Sequence, residues 1–244
     1  WLVNAPAHWG PKWKKAHAKF VTFLNTGVPQ WNIFVKENLK LKFWQFSTLP
    51  KISCPGAGDC LNWCYSFKAW RYPDAFFRQL QNTVLAWRGR DSVMRAGPRT
   101  TAEAAADYGY IREAFLSLPK NETVRLYVDG DFDSKQTLEF WFDLMAQRKD
   151  LKVYGYSKSW SFFLQFNSWN VRKLGQEWPT NYILNLSGGS IYGGQMRARM
   201  EQLPIVRDEF VAVKAPSKMP NKLDTPTLWA QWAKAVKESA RKLG

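Results

Sequence analysis

From residue 123 onward the chain alternates short apolar runs with longer helical ones, and that rhythm narrows the possible folds more than any other feature. Residues 123–128 read as a strand, residues 135–148 as a helix with Leu138, Phe142 and Met145 on one side, and residues 151–156 as the next strand. A helical stretch over 162–169, a strand over 182–186, a helix over 195–202, a strand over 209–214 and a helix over 225–242 continue the series. Thr225 is placed to cap that last helix and Pro226 falls in its first turn. Upstream, residues 39–46 read as a strand, followed by helices over 61–71, 73–88 and 101–118, the last capped by Thr100 or Thr101. The Arg-rich stretch 88–99 reads as a loop. Five strands, each followed by a helical stretch, require parallel pairing through βα crossovers. The fold class is α/β.

In parallel sheets of this kind, function collects at the C-terminal ends of the strands. Four of those ends carry polar or glycine-rich residues. One is Cys54-Pro-Gly-Ala-Gly-Asp-Cys60-Leu-Asn-Trp-Cys64, which holds all three cysteines of the chain within eleven positions. Pro55, Gly56 and Gly58 let such a loop turn sharply enough to bring its thiolates round one centre. Three thiolates fall one short of a closed tetrahedral zinc site, and neither His8 nor His17 is near in sequence. An iron–sulfur cubane on three cysteines is the other solution, and it leaves one iron open to a small molecule. A disulfide with one spare thiol, or three ordinary buried cysteines, are the competing readings.

The other three ends supply the remaining candidates. Gly130 and Asp131 would approach a bound small molecule, or else form a turn before a helix capped by Asp133 or Ser134. Tyr154, Tyr156, Ser157 and Lys158 would line the mouth, with Lys158 meeting a carboxylate or phosphate, although strand tyrosines also pack into cores. Ser187, Gly188 and Gly189 would offer backbone N–H groups to an anion or make a plain turn. No Ser/His/Asp set and no phosphate-cradling P-loop is present.

Net charge is +15, from 35 Lys and Arg against 20 Asp and Glu, and 16% of residues are aromatic, 14 of them Trp. That balance points to an anionic partner, most often nucleic acid, DNA or RNA, with exposed rings available for base stacking. Residues 1–38 form a basic, aromatic N-terminal extension in which 12–20 would be a short basic amphipathic helix, and residues 39–244 form the main domain. No run of about 18 apolar residues exists, so no membrane helix is expected. The small number of cysteines favours a cytoplasmic protein over a disulfide-stapled secreted one.

A cysteine loop after the first strand of a parallel α/β unit resembles the radical S-adenosylmethionine superfamily. That resemblance implies a partial (β/α) barrel with a 4Fe–4S cluster on Cys54, Cys60 and Cys64, whose open iron takes the amino and carboxylate groups of S-adenosylmethionine. The superfamily's usual gaps are three residues and then two, with an aromatic before the last cysteine. Here the gaps are five and three, and Trp63 precedes Cys64. Val128-Asp129-Gly130-Asp131 stands where the superfamily often has a glycine-rich stretch ending in an acid. The phrases Cys54-Pro-Gly-Ala, Cys64-Tyr65, Val128-Asp-Gly-Asp-Phe132 and Val153-Tyr-Gly-Tyr-Ser-Lys-Ser-Trp160 more closely resemble the phage gene product 88 family of phages and mobile elements. The likeness runs from about residue 40 to residue 210. That family often carries further cysteines downstream, and this chain has none after Cys64. Together these imply an iron–sulfur protein, of radical type if it is an enzyme. The alternative is a nucleic-acid-binding accessory protein whose cysteines hold structural zinc or a redox-sensing cluster.

Overall fold

A single six-stranded sheet organises the described residues, which in this computed structural model are 4–36, 42–62, 64–96, 108–210 and 226–241. The strands are β1 (Val35–Lys36), β2 (Trp44–Gln45), β3 (Thr123–Leu126), β4 (Lys152–Ser157), β5 (Tyr182–Ser187) and β6 (Val206–Phe210), and they lie side by side in chain order. β1 runs antiparallel to β2, and every later pair is parallel. The helices are α1 (Pro11–Thr26), α2 (Pro73–Ala96), α3 (Gly109–Leu116), α4 (Lys135–Gln147), α5 (Trp160–Phe166), α6 (Gln195–Glu201) and α7 (Pro226–Arg241).

The alternation along β3 and β4 sorts the two faces of the sheet. Val124, Leu126, Val153, Leu184 and Leu186 are buried in one core with Leu138, Trp141, Phe142 and Met145 of α4 and Phe163 of α5. Side chains on the opposite face are only partly covered. Ser134 caps α4, its side chain accepting from the Thr137 N–H. β3 stops at Tyr127, whose φ of +53° breaks the alternation. The phenol is turned into the core, where its oxygen accepts from Trp141 Nε1 at 3.0 Å.

Several elements differ from the sequence expectation. Residues 61–71 are not one α-helix but two 3₁₀ segments, Asp59–Asn62 and Tyr65–Arg71, because the cysteine loop holds the backbone in tight turns. The Arg-rich stretch read as a loop continues α2 to Ala96. Gly89 is no breaker there: a Cβ at that position would run into the Tyr108 ring, so the glycine is where α2 admits a neighbouring side chain. α5 gives way to a π-type turn at Asn167–Val171. α1 is longer than residues 12–20, and it buries Ala16, His17, Phe20 and Phe23 in the same core as the sheet. Residues 39–41 and 211–214 of two expected strands, residues 101–107 of an expected helix with the Thr100 or Thr101 cap, Trp63, and Thr225 lie outside the described residues. No helix among the described residues is long and apolar enough to cross a membrane.

Candidate functional site

The cysteine loop follows β2 and is built into the sheet's C-terminal rim by its backbone. The Phe46 N–H donates to the Arg125 carbonyl, Val128 N–H to Phe46, and Thr48 N–H to Asp129, so the β2–β3 ladder runs on to the loop's base. Further along, Gly58 N–H donates to the Gly189 carbonyl at 3.1 Å and Ile191 N–H to the Gly56 carbonyl at 3.0 Å. Ser190 Oγ donates to the carbonyls of both Gly56 and Lys158. The loop thus spans the ends of β4 and β5. Glycine is required at these contacts: a Cβ on Gly56 would overlap the Lys158 carbonyl, and one on Gly58 would stand 2.8 Å from the Gly189 oxygen. Gly130, at φ +84°, lies so close to Thr48 and Ser53 that no side chain fits there either.

Between these loops lies a cavity of about 470 Å³. Cys54, Cys60 and Cys64 line it together with Asp129, Gly130, Asp131, Tyr156, Lys158 and Ser187. All three cysteines are free thiols, so no disulfide forms. Among the described residues no group of three or more His, Cys, Asp or Glu side chains is disposed to hold a metal ion. In a cubane each thiolate binds a different iron, so its three sulfurs need not meet at one point. The three thiols line one cavity without being gathered round a single ion.

Burial holds acidic groups of the cavity above their ordinary values. Burial pushes the Cys54 thiol up to about 12, with Asp131, Cys64 and Cys60 adding to the rise. Burial raises Cys60 as well, against Lys158, which pulls it down. Thiols in this state are neutral, and a bound metal would have to displace their protons. Asp131 is 4% exposed and is itself pushed up to about 6 by burial. Its Oδ1 accepts from Phe132 N–H and Ser157 Oγ, and its Oδ2 from Lys158 N–H at 2.7 Å. The carboxylate pins the end of β3 to the end of β4.

Of the candidates named from sequence, the cavity therefore gathers the three cysteines, Gly130, Asp131, Tyr156, Lys158 and Ser187. Ser157 lies behind the wall, buried against Asp131. Gly188 is not a spare donor, because its N–H is taken by the Phe210 carbonyl at 2.7 Å. The Lys158 ammonium donates to Ser187 Oγ. The helix-capping alternative for this stretch falls to Ser134 rather than Asp133, whose carboxylate pairs with Arg90 at 2.9 Å.

Sequence reading by strand ends missed Arg125, Tyr65 and Phe210, which also line the cavity. Tyr65 donates to the Val128 carbonyl at 2.7 Å. The Arg125 guanidinium lies 4.9 Å from the Tyr156 ring centroid, and its buried Nε has no hydrogen-bond partner among the described residues. The signal that would have found Arg125 is its odd position in β3, which places it on the face opposite Val124 and Leu126.

The sequence profile of the family described as Gene product 88 matches residues 15–240 of the chain. No curated protein and no solved structure matches it.

Proposed function

The chain belongs to the phage gene product 88 family, and from that premise we propose that it is an iron–sulfur protein. In this reading a 4Fe–4S cluster sits on Cys54, Cys60 and Cys64 in a radical-S-adenosylmethionine-like partial barrel, and the basic surface contacts nucleic acid. The observation that carries the reading is that all three cysteines of the chain line one cavity at the C-terminal rim of a parallel sheet. Two features support it. Strands β2 to β6 follow chain order, so crossovers of one hand put the helices on one side and let the sheet curl round the other. The net charge of +15 favours a polyanion.

A cluster held by three cysteines leaves one iron without a protein ligand, where S-adenosylmethionine would bind through its amino and carboxylate groups. Lys158, beside Ser187 and Cys60, is placed to meet an anionic group of a molecule in the cavity. Asp131 holds the Lys158 backbone in that position. A second reading is a non-catalytic metal that locks the rim, and it is favoured by the backbone pairing of the cysteine loop with the β5 loop.

Protein purified without oxygen should carry about four irons per chain with broad visible absorption. Cys→Ala substitution at position 54, 60 or 64 should abolish both. S-adenosylmethionine should then change the electron paramagnetic resonance signal of the reduced cluster. An unchanged signal leaves a structural cluster, and zinc or no metal overturns the iron–sulfur reading.

A further inference from the structure

The face of the sheet turned away from the helices carries a basic and aromatic pattern that extends beyond the cavity wall. Along β4, alternation puts Lys152, Tyr154 and Tyr156 on this face, with Lys158 at its tip, a span of about 20 Å at about 3.3 Å per residue. The register sets Arg125 and Ile183 on either side of Tyr154, Asn185 beside Tyr156, and Phe210 beside Ser187. The Tyr154 ring meets Phe43 at 5.9 Å, and the Tyr156 ring meets Phe210 at 5.3 Å. Arg207 lies 5.5 Å over the Phe210 ring. Ile183 and Phe210 are 43% and 39% exposed, although both sit within strands of the sheet.

The charge on this face is one-sided. Lys152, Arg125, Arg207 and Lys158 are set against Asp208, the acidic residue that the β5–β6 register places beside Asn185. Neither Arg125 nor Arg207 has a carboxylate partner among the described ion pairs. An apolar protein partner would leave these cations desolvated and unpaired, whereas a phosphate chain satisfies them. Duplex nucleic acid keeps its bases stacked inside and has no ring to offer Tyr154 or Phe210. A single strand offers both rings and phosphates.

We propose that this open face binds single-stranded nucleic acid. Bases lie against Tyr154, Tyr156 and Phe210, and phosphates lie on Lys152, Arg125 and Arg207. The strand crosses the face towards the cysteine cavity, whose wall shares Arg125, Tyr156 and Phe210 with it. The proposal rests on the nucleic-acid part of the reading above, and it adds the surface, the strandedness and the direction of approach.

The test is titration of the full chain with labelled single-stranded DNA and RNA of about 12 nucleotides, and with the matching duplex, over a salt series. The wild type should prefer single strands. Tyr154→Ala and Arg207→Ala should each weaken that binding about tenfold, and Arg207→Ala should reduce the log–log salt slope by about 0.7. Arg207 is exposed, so its variant keeps the fold. A Lys12→Ala, Lys14→Ala, Lys15→Ala triple variant on the exposed side of α1 should leave binding unchanged. Equal binding of duplex, or loss in the α1 variant with none in Tyr154→Ala and Arg207→Ala, overturns the surface while nucleic-acid binding stands. Absence of salt-dependent binding to any of the probes overturns both. The DNA and RNA arms tell which strand the face prefers.

Discussion

Gly56 is the residue at which the candidate site has least freedom. Its carbonyl accepts from Ile191 N–H and Ser190 Oγ, and its α-carbon lies against the Lys158 carbonyl, with no room for a methyl group. Gly56→Ala should cost about 1–3 kcal/mol of stability, by urea unfolding, because the clash is with backbone that no rotamer change relieves. It should also lower the metal content of anaerobically purified protein, since the loop must lift off the rim. Gly193, where an added Cβ meets nothing within 4 Å, supplies the control. Gly193→Ala should move stability by less than about 0.5 kcal/mol. The cysteines, Lys158 and Asp131 were legible in the sequence because each follows a strand directly, and the end of a parallel strand is a place one can count to. Arg125 was not, because it lies inside a strand. Its role depends on which face is left open, and that is decided by how the helices pack.

Among the elements, the junction between α3, α4 and β4 depends on one guanidinium. Arg148 donates to both carboxylate oxygens of Asp150 at 2.8 Å and to the carbonyls of Leu116 at 2.6 Å and Leu118 at 2.9 Å. It therefore satisfies the open C-terminal carbonyls of α3 while marking the start of β4. The hydrogen bond from Arg148 holds the Asp150 carboxyl down at about 2, against an ordinary 3.8. A depressed acid contributes its stability above the unfolded value and loses it as pH falls through the folded one. The urea midpoint should therefore drop between about pH 4 and pH 2 through this pair, and Asp150→Asn should remove that part of the slope. Helices and strands from residue 123 onward were legible because each has a clear period and a turn after it. β1 was not, since two residues carry no period. The continuation of α2 past Arg88 was hidden because Gly89 reads as a breaker until the Tyr108 ring is seen against it.

For the whole molecule, the first helix belongs to the core rather than beside it. Phe77 of α2 is fully buried, and its ring meets Trp9, Trp13, His17 and Phe20 from the N-terminal segment at 5.4–6.1 Å. Deleting residues 1–26 should expose this cluster and abolish a cooperative thermal transition, as followed by circular dichroism. An unchanged melting curve would instead make that segment a separable extension. A different consequence follows from the rim. The cysteine loop at residues 54–64 is fastened by groups at residues 158 and 189–191, and Ser190 bonds Gly56 across 134 positions of the chain. A ribosome delivers residue 64 long before residue 191, so for much of its synthesis the chain has its thiols but not the frame that fixes them. The cavity is completed only after β5 and β6 have emerged and docked, since Phe210 also lines it, which makes it a late product of folding. Any group that depends on the finished cavity has to be inserted after translation has passed that point.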